Sequence, residues 1–372
     1  MTRYVWQYPD WTRRWRWDSS RLLPPLAAAR RVQGTLLGRG AGLGFDLGME
    51  ARAATLAADA LTTAAIEGVS LDPRSVRSSV ARRLGLSVAG LPMPERDVDG
   101  LVQMVVDATQ RHSEPLTSRR LKGWQAALFP TGYSGLRRIV VGDWRKQTAP
   151  MQVVSGPIGR ETVHFEAPPA KNVAAEMTRF LAWWTSARDP DEGLLRAGLA
   201  HLWFVTVHPF EDGNGRLARA IADMALAADE QSGLRLYSMS SQIRSERDAY
   251  YAVLGRTQRG NGEITEWLEW FLACLERAMR ASEGQLDVVL GKASFWQRLA
   301  GASLSERQSK VVNRLLDAGR DGFQGGLTTR KYASMTGASR ATAQREIADL
   351  VEKGFLKQRP GGGRSTSYDI NL

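Results

Sequence analysis

Apolar positions recur at helical spacing along most of the chain, and only a few short stretches carry the composition of strands. Residues 194–207 form a nearly unbroken apolar run. The run is too long for a typical strand, so it predicts a buried helix, which Pro209 ends or kinks. Beyond it Leu217, Ala218, Ile221, Met224 and Ala225 recur at helical spacing, so a second helix begins near Gly215. Residues 49–66 have strong helix propensity, and Gly68 suits the C′ position that follows. Further helices are expected over 101–112, 122–129, 173–187, 241–255 and 264–282. The segment before residue 86 carries Trp6, Trp11, Trp15 and Trp17 and then alanine-rich helical sequence. Those tryptophans are expected to pack on a neighbouring helix. Glycine, proline and β-branched residues take over at 142–165, where 151–155 and 161–165 predict two strands of a hairpin.

The pattern changes again after Ser303. An amphipathic helix is expected over 304–318, a short one over 330–335 capped by Thr328 or Thr329, and a third over 340–353. Ser339 caps the third helix and Gly354 ends it, with strands expected at 355–358 and 367–370 around a glycine-rich turn. This order resembles a winged helix-turn-helix. Residues 303–372 hold 12 Lys and Arg against 7 Asp and Glu, a net charge of +5. Arg340, Thr342, Ala343 and Gln344 are expected to face outward at the start of the third helix, and Arg359 and Arg364 to flank the wing. Double-stranded DNA is the partner this arrangement suggests, although such domains also serve as protein-interaction modules.

Composition narrows the picture only slightly. The hydrophobic fraction of 43% and charged fraction of 24% are ordinary for a globular protein of two or three domains. A net charge of +11 suggests a polyanionic partner. The single cysteine, Cys274, rules out an internal disulfide and fits a reducing cytoplasm. Four histidines and one cysteine argue against a zinc site. No apolar run approaches the ~20 residues that span a bilayer, and the N-terminus lacks the apolar core of a secretory signal. A cytoplasmic protein without membrane contact is therefore expected.

The chemistry concentrates in His208–Arg219, which reads HPFEDGNGRLAR. Gly213, Asn214 and Gly215 lie at the expected N-terminus of the second helix, where free N–H groups and the helix dipole favour an anion. Glycine there lets the backbone approach phosphate oxygens closely. Arg216 and Arg219, three apart, project to one side with the fork geometry that suits phosphate. Asp212 is a hard oxygen ligand suited to Mg²⁺, and His208 can act as a general base for a hydroxyl nucleophile.

These residues resemble the signature of the Fic family, HPFx(D/E)GNGRxxR, at every specified position. The resemblance implies a mainly α fold: a Fic-type helical bundle with a small β-hairpin flap. Around it are expected an N-terminal helical region (1–90), a catalytic domain (91–290) and a winged helix-turn-helix (303–372). It implies transfer of AMP from ATP to a Ser, Thr or Tyr hydroxyl of a target protein. Transfer of other phosphate-containing groups and removal of AMP also occur in such families. A DNA-binding regulator whose Fic domain senses nucleotide is the rival from another class.

By the same resemblance His208 is the base, Asp212 holds Mg²⁺, and Phe210, Gly213, Asn214, Gly215, Arg216 and Arg219 form the nucleotide site. The segment around 152–165 corresponds to the family's flap, and Trp144 with Arg145 to its (Y/W)R just before the flap. Tyr250 and Tyr251 correspond to an aromatic pair near the nucleotide base. The stretch 63–68, TAAIEG, resembles the inhibitory motif (S/T)xxxE(G/N). Thr63 and Glu67 would share one helix face, with Gly68 ending the helix. A carboxylate at a helix C-terminus is locally unfavourable, which suits Glu67 to a task elsewhere. A second copy of the chain in a homodimer is left open.

Overall fold

The computed structural model describes residues 3–155, 162–186, 193–299, 303–316, 323, 325–360 and 366–371. Those residues contain fourteen α-helices and three two-stranded antiparallel hairpins. The chain divides into two compact units, Met1–Ser282 and Glu283–Leu372. Among the described residues no helix is long and apolar enough to cross a membrane.

The first unit begins with α1 (Ser19–Ala41), α2 (Gly44–Ile66) and α3 (Pro73–Leu84), followed by α4 (Arg96–Gln110) and α5 (Ser118–Leu128). Two hairpins come next, β1 (Tyr133–Ser134) with β2 (Arg137–Arg138), and β3 (Gln152–Ser155) with β4 (Thr162–Glu166). Then follow α6 (Ala170–Thr185), α7 (Gly193–Val207), α8 (Asn214–Asp229), α9 (Met239–Ser245), α10 (Arg247–Gln258) and α11 (Thr265–Arg298).

Helix α7 is the centre of this unit. Every residue from Leu194 to Val207 is buried, as an all-round apolar helix must be. Gly198 lets α11 come close, since an added Cβ would meet Phe271 at 3.1 Å. Trp11 and Trp15 pack edge-on against Trp203 of α7 with ring centroids 6.0 and 5.6 Å away. Trp11 and Trp15 are thus packing residues, as their sequence context suggested. Truncating a buried Leu or Phe on α7 to Ala costs ~2–5 kcal/mol. That makes α7 a rigid base for the turn at its C-terminus.

Local signals set several helix ends. Asp18 accepts hydrogen bonds from the Ser20 and Arg21 amides to start α1. Asp72 does the same for α3, with Pro73 at the first helical position. Helix α2 ends in a Schellman motif: the Gly68 amide donates to the Ala65 carbonyl at 3.1 Å and the Val69 amide to Ala64 at 3.0 Å. Gly68 has φ 78°, as its place in that motif requires.

Two expectations about helix extent were corrected. The single helix expected over 241–255 is α9 and α10, broken at Glu246 (φ −114°, ψ 28°). The Glu246 carboxylate accepts from Arg277 Nε at 2.6 Å and Nη2 at 2.5 Å, which ties the break to α11. The helix expected to end at Ser282 runs to Arg298. Hairpin β1–β2 carried no strand signal and was not anticipated.

In the second unit α12 (Glu306–Leu316), α13 (Thr329–Thr336) and α14 (Arg340–Glu352) precede β5 (Leu356–Gln358) and β6 (Tyr368–Ile370). Strands β5 and β6 pair antiparallel, and Leu327 bridges to Tyr368. Val311, Leu315, Tyr332, Ile347, Leu350 and Phe355 form its core. Thr328 caps α13 and Ser339 caps α14, accepting from the Lys331 and Thr342 amides at 3.3 and 3.1 Å. Gly337 (φ 69°) makes the turn between them.

Arg340 and Gln344 are exposed and Thr342 is half-buried. Ala343, expected to face outward, is instead fully buried in this core. It lies four residues before Ile347, on the stripe that α14 turns inward. Arg359 Nε donates to Asp369 across the hairpin at 2.7 Å. Arg364 lies outside the described residues.

Candidate active site

The chain leaves α7 through His208, whose φ of 51° is rare for a residue with a Cβ. Its amide still closes the helix on Phe204 at 3.0 Å, and its Nδ1 lies 3.2 Å from the Val205 carbonyl. Phe210 is fully buried beneath the turn. Its amide donates to Asn214 Oδ1 at 2.9 Å, and Asn214 Nδ2 donates back to the Phe210 carbonyl at 2.8 Å. Asn214 is therefore a brace that closes the turn on itself. Gly213, at φ 88°, is the residue before α8, and a Cβ there would meet Leu128 and Phe129 at 3.1 Å. The second motif helix thus starts at Asn214, one residue earlier than expected.

Helix α2 crosses the start of α8. Arg219, almost fully buried, donates from Nε to Thr63 Oγ1 at 2.7 Å and from Nη2 to the Thr63 carbonyl at 3.0 Å. Nη2 also meets Glu67 Oε1 at 2.7 Å. The glycine at 215 makes room for that carboxylate, since an added Cβ would lie 2.3 Å from Glu67 Oε1. Farther down the same seam, Asp59 of α2 accepts from Ser238, while Asp223 of α8 pairs with the buried Arg235 at 2.8 Å. Burial, and then the neighbouring Asp223 charge, raise the Asp59 pKa to about 8.

Asp212 is held by three groups. The Ser134 hydroxyl donates to Oδ2, the Gly213 amide to Oδ1 at 2.5 Å, and Arg216 Nη2 stands 3.5 Å from Oδ1. Arg216 lies over the Phe129 ring at 5.0 Å, and its buried Nε has no hydrogen-bond partner among the described residues. One carboxylate suits Mg²⁺, which usually draws its other ligands from phosphate and water. Among the described residues no cluster of three or more His, Cys, Asp or Glu could hold a metal unaided.

A cavity of about 700 Å³ opens beside the turn, with Glu67, His208, Gly215, Arg219, Tyr250 and Tyr251 on its wall. Burial lowers the His208 pKa to about 4, with a further push from the Arg145 charge. The imidazole is therefore neutral, as a base must be. Tyr250 is buried and its hydroxyl lies 2.9 Å from His201 Nε2, while Tyr251 is 40% exposed under Arg247.

The expected site residues thus fall into three groups. His208, Gly215, Arg219, Glu67, Tyr250 and Tyr251 line one cavity. Phe210, Gly213, Asn214 and Thr63 shape or brace its walls, and Asp212 with Arg216 forms a pair at the turn. Ser134 was missed. Its partner Asp212 is 78 residues away, and nothing local marks it. Arg145 was noticed only through the family pattern, without a role.

Residues 4–86 match a domain of unknown function (DUF4172), and residues 115–226 match the Fic/DOC family. A curated relative from Nematostella vectensis, named Protein adenylyltransferase Fic, is 32% identical over 117 residues. That stretch is 31% of this chain and only 25% of the relative. A solved Fic family protein from Desulfovibrio desulfuricans superposes with a TM-score of 0.52 at 19% identity, over 93% of this chain and 96% of that one. At that identity the likeness concerns the fold alone.

Proposed function

The chain belongs to the Fic family through residues 115–226, and from that premise we propose that it transfers AMP from ATP to a hydroxyl side chain of a target protein. The observation that carries the proposal is the cavity in which the imidazole of His208 and the buried guanidinium of Arg219 face one space at a helix N-terminus. In this reading His208 takes the proton of the target hydroxyl. The oxygen forms a bond to the α-phosphorus, the bond to the β-phosphate bridging oxygen breaks, and pyrophosphate leaves. Amides at the start of α8 and the two motif arginines receive the phosphates. Asp212 is the residue suited to Mg²⁺, which would neutralise charge on the departing pyrophosphate. Tyr250 and Tyr251 form the wall on which the base would rest. Glu67 restrains the reaction by occupying Arg219.

Incubation with ATP labelled at the α-phosphate, and separately at the γ-phosphate, tests this. Label from the α position alone is expected on protein. Label from the γ position would make the enzyme a phosphotransferase, and label from neither would favour a nucleotide-sensing regulator. Against the sensor stands His208, because sensing requires no base.

For the second unit we propose binding to double-stranded DNA. Its support is three short helices followed by an antiparallel hairpin, with Arg340 and Gln344 exposed at the start of α14.

A further inference from the structure

We propose that Arg145 is a positioning residue that holds the His208 backbone so that the imidazole stays on the cavity wall. The proposal rests on His208 being the base.

Arg145 is 2% exposed, unusual for an arginine, and its neighbours are main-chain carbonyls rather than acids. Nε donates to the His208 carbonyl at 2.7 Å. Nη2 donates to the Pro168 carbonyl and, at 3.4 Å, to that of Val207. The Arg145 amide donates to the Pro209 carbonyl at 2.9 Å. Three consecutive carbonyls at the end of α7 are thus gripped by one residue. Such carbonyls lack helical partners and carry the negative end of the helix dipole, so a cation there is favoured.

Burying a guanidinium is costly, and burial alone lowers the Arg145 pKa to about 10. Nη1 has no hydrogen-bond partner among the described residues. An apolar side chain would fill this space without that cost, so packing does not account for the arginine. The backbone it holds does. His208 sits in the left-handed region, a conformation that persists only where the surroundings impose it. The next residue is Pro209, which cannot donate a backbone hydrogen bond to the turn. The grip on both flanking carbonyls supplies the constraint. It also ties the turn to Pro168, which lies between β4 and α6.

The charges acting on the His208 ring are Arg145, Glu67 and Asp212. Loss of Arg145 removes one positive charge and loosens the enclosure, and both changes favour the imidazolium.

The test compares Arg145→Gln and Arg145→Lys with the wild type by two readouts. The first is NMR titration of the four histidine rings, with His208 assigned by its loss in His208→Ala. The second is kcat for α-phosphate label transfer beside ATP affinity. Wild-type His208 is expected to titrate at about 4. In Arg145→Gln it is expected to move toward its ordinary value, with kcat down about 10²-fold and ATP affinity unchanged. Lys keeps the charge without the fork, so Arg145→Lys is expected to fall between the two.

A folded Arg145→Gln protein with wild-type titration and kcat overturns the proposal, as does a parallel loss of ATP affinity. If Arg145→Gln does not fold, Arg145→Lys decides by the same readouts, and wild-type values there overturn it. If the wild type itself transfers no label, the transferase reading fails. The ring titration then still decides the role of Arg145.

Discussion

Replacing Glu67 by Gly is expected to raise AMP transfer by about tenfold or more. The substitution removes one partner of a charge-assisted contact, Arg219 Nη2 to Glu67 Oε1 at 2.7 Å. Arg219 is 3% exposed and stays held by the Thr63 hydroxyl and carbonyl. Hydrogen bonds to charged groups contribute ~1.5–3 kcal/mol. The Glu67 side chain is 30% exposed, so solvent screening places this pair toward the lower end of that range. About 1.5–2 kcal/mol corresponds to about 10–30-fold in the fraction of Arg219 free to take a phosphate. The backbone tolerates the change, because Glu67 contributes only its amide to the end of α2, donating to Ala64 at 3.0 Å. Thr63→Ala removes a neutral hydroxyl and leaves the carbonyl contact, so its effect is expected to be only a few-fold. Initial rates of α-phosphate label incorporation compare the wild type, each single variant and Glu67→Gly combined with His208→Ala. Equal rates for wild type and Glu67→Gly would falsify the inhibitory role. Activity surviving in the double variant would show that the increase arose elsewhere.

His208→Ala is expected to lower transfer ~10²–10⁴-fold while ATP still binds, measured on one preparation; near wild-type transfer removes His208 as base. Asp212→Ala is expected to lose Mg²⁺-dependent transfer at saturating ATP, and activity that persists in a chelator contradicts the metal role. The full chain is expected to bind duplex DNA with affinity that falls steeply with salt, and Arg340→Ala with Gln344→Ala to blunt sequence preference. Absence of any duplex binding at low salt favours a protein-interaction role. In the folded state Asp59 ionises only at about 8, far above its unfolded value, so the wild type loses stability as pH rises from about 4 through 8. Asp59→Asn lacks that term, and its Tm relative to wild type is expected to climb between pH 5 and 8; a pH-independent difference rejects the assignment.

The parts of the site that lie close together in the chain were legible in the sequence. The apolar run of α7, the turn through Gly213 and the start of α8 follow from periodicity, proline and glycine, which act over a few residues. The Schellman end at Gly68 is local in the same way. Thr63 and Glu67 share a helix face by spacing alone. Their partner was reachable only through the family resemblance, since Arg219 lies 152 residues beyond Glu67.

Elsewhere tertiary structure alone decided. Ser134 reaches Asp212 because a hairpin of two-residue strands lies beside the turn. Arg145 grips the end of α7, Arg277 meets Glu246 where a helix breaks, and the core of the second unit takes Ala343 inward. Helical period and turn chemistry dictate which residues share a face or a bend. Which distant polar group satisfies a buried carbonyl or carboxylate depends on how those faces pack, because a buried polar atom takes whichever partner the fold brings within about 3 Å.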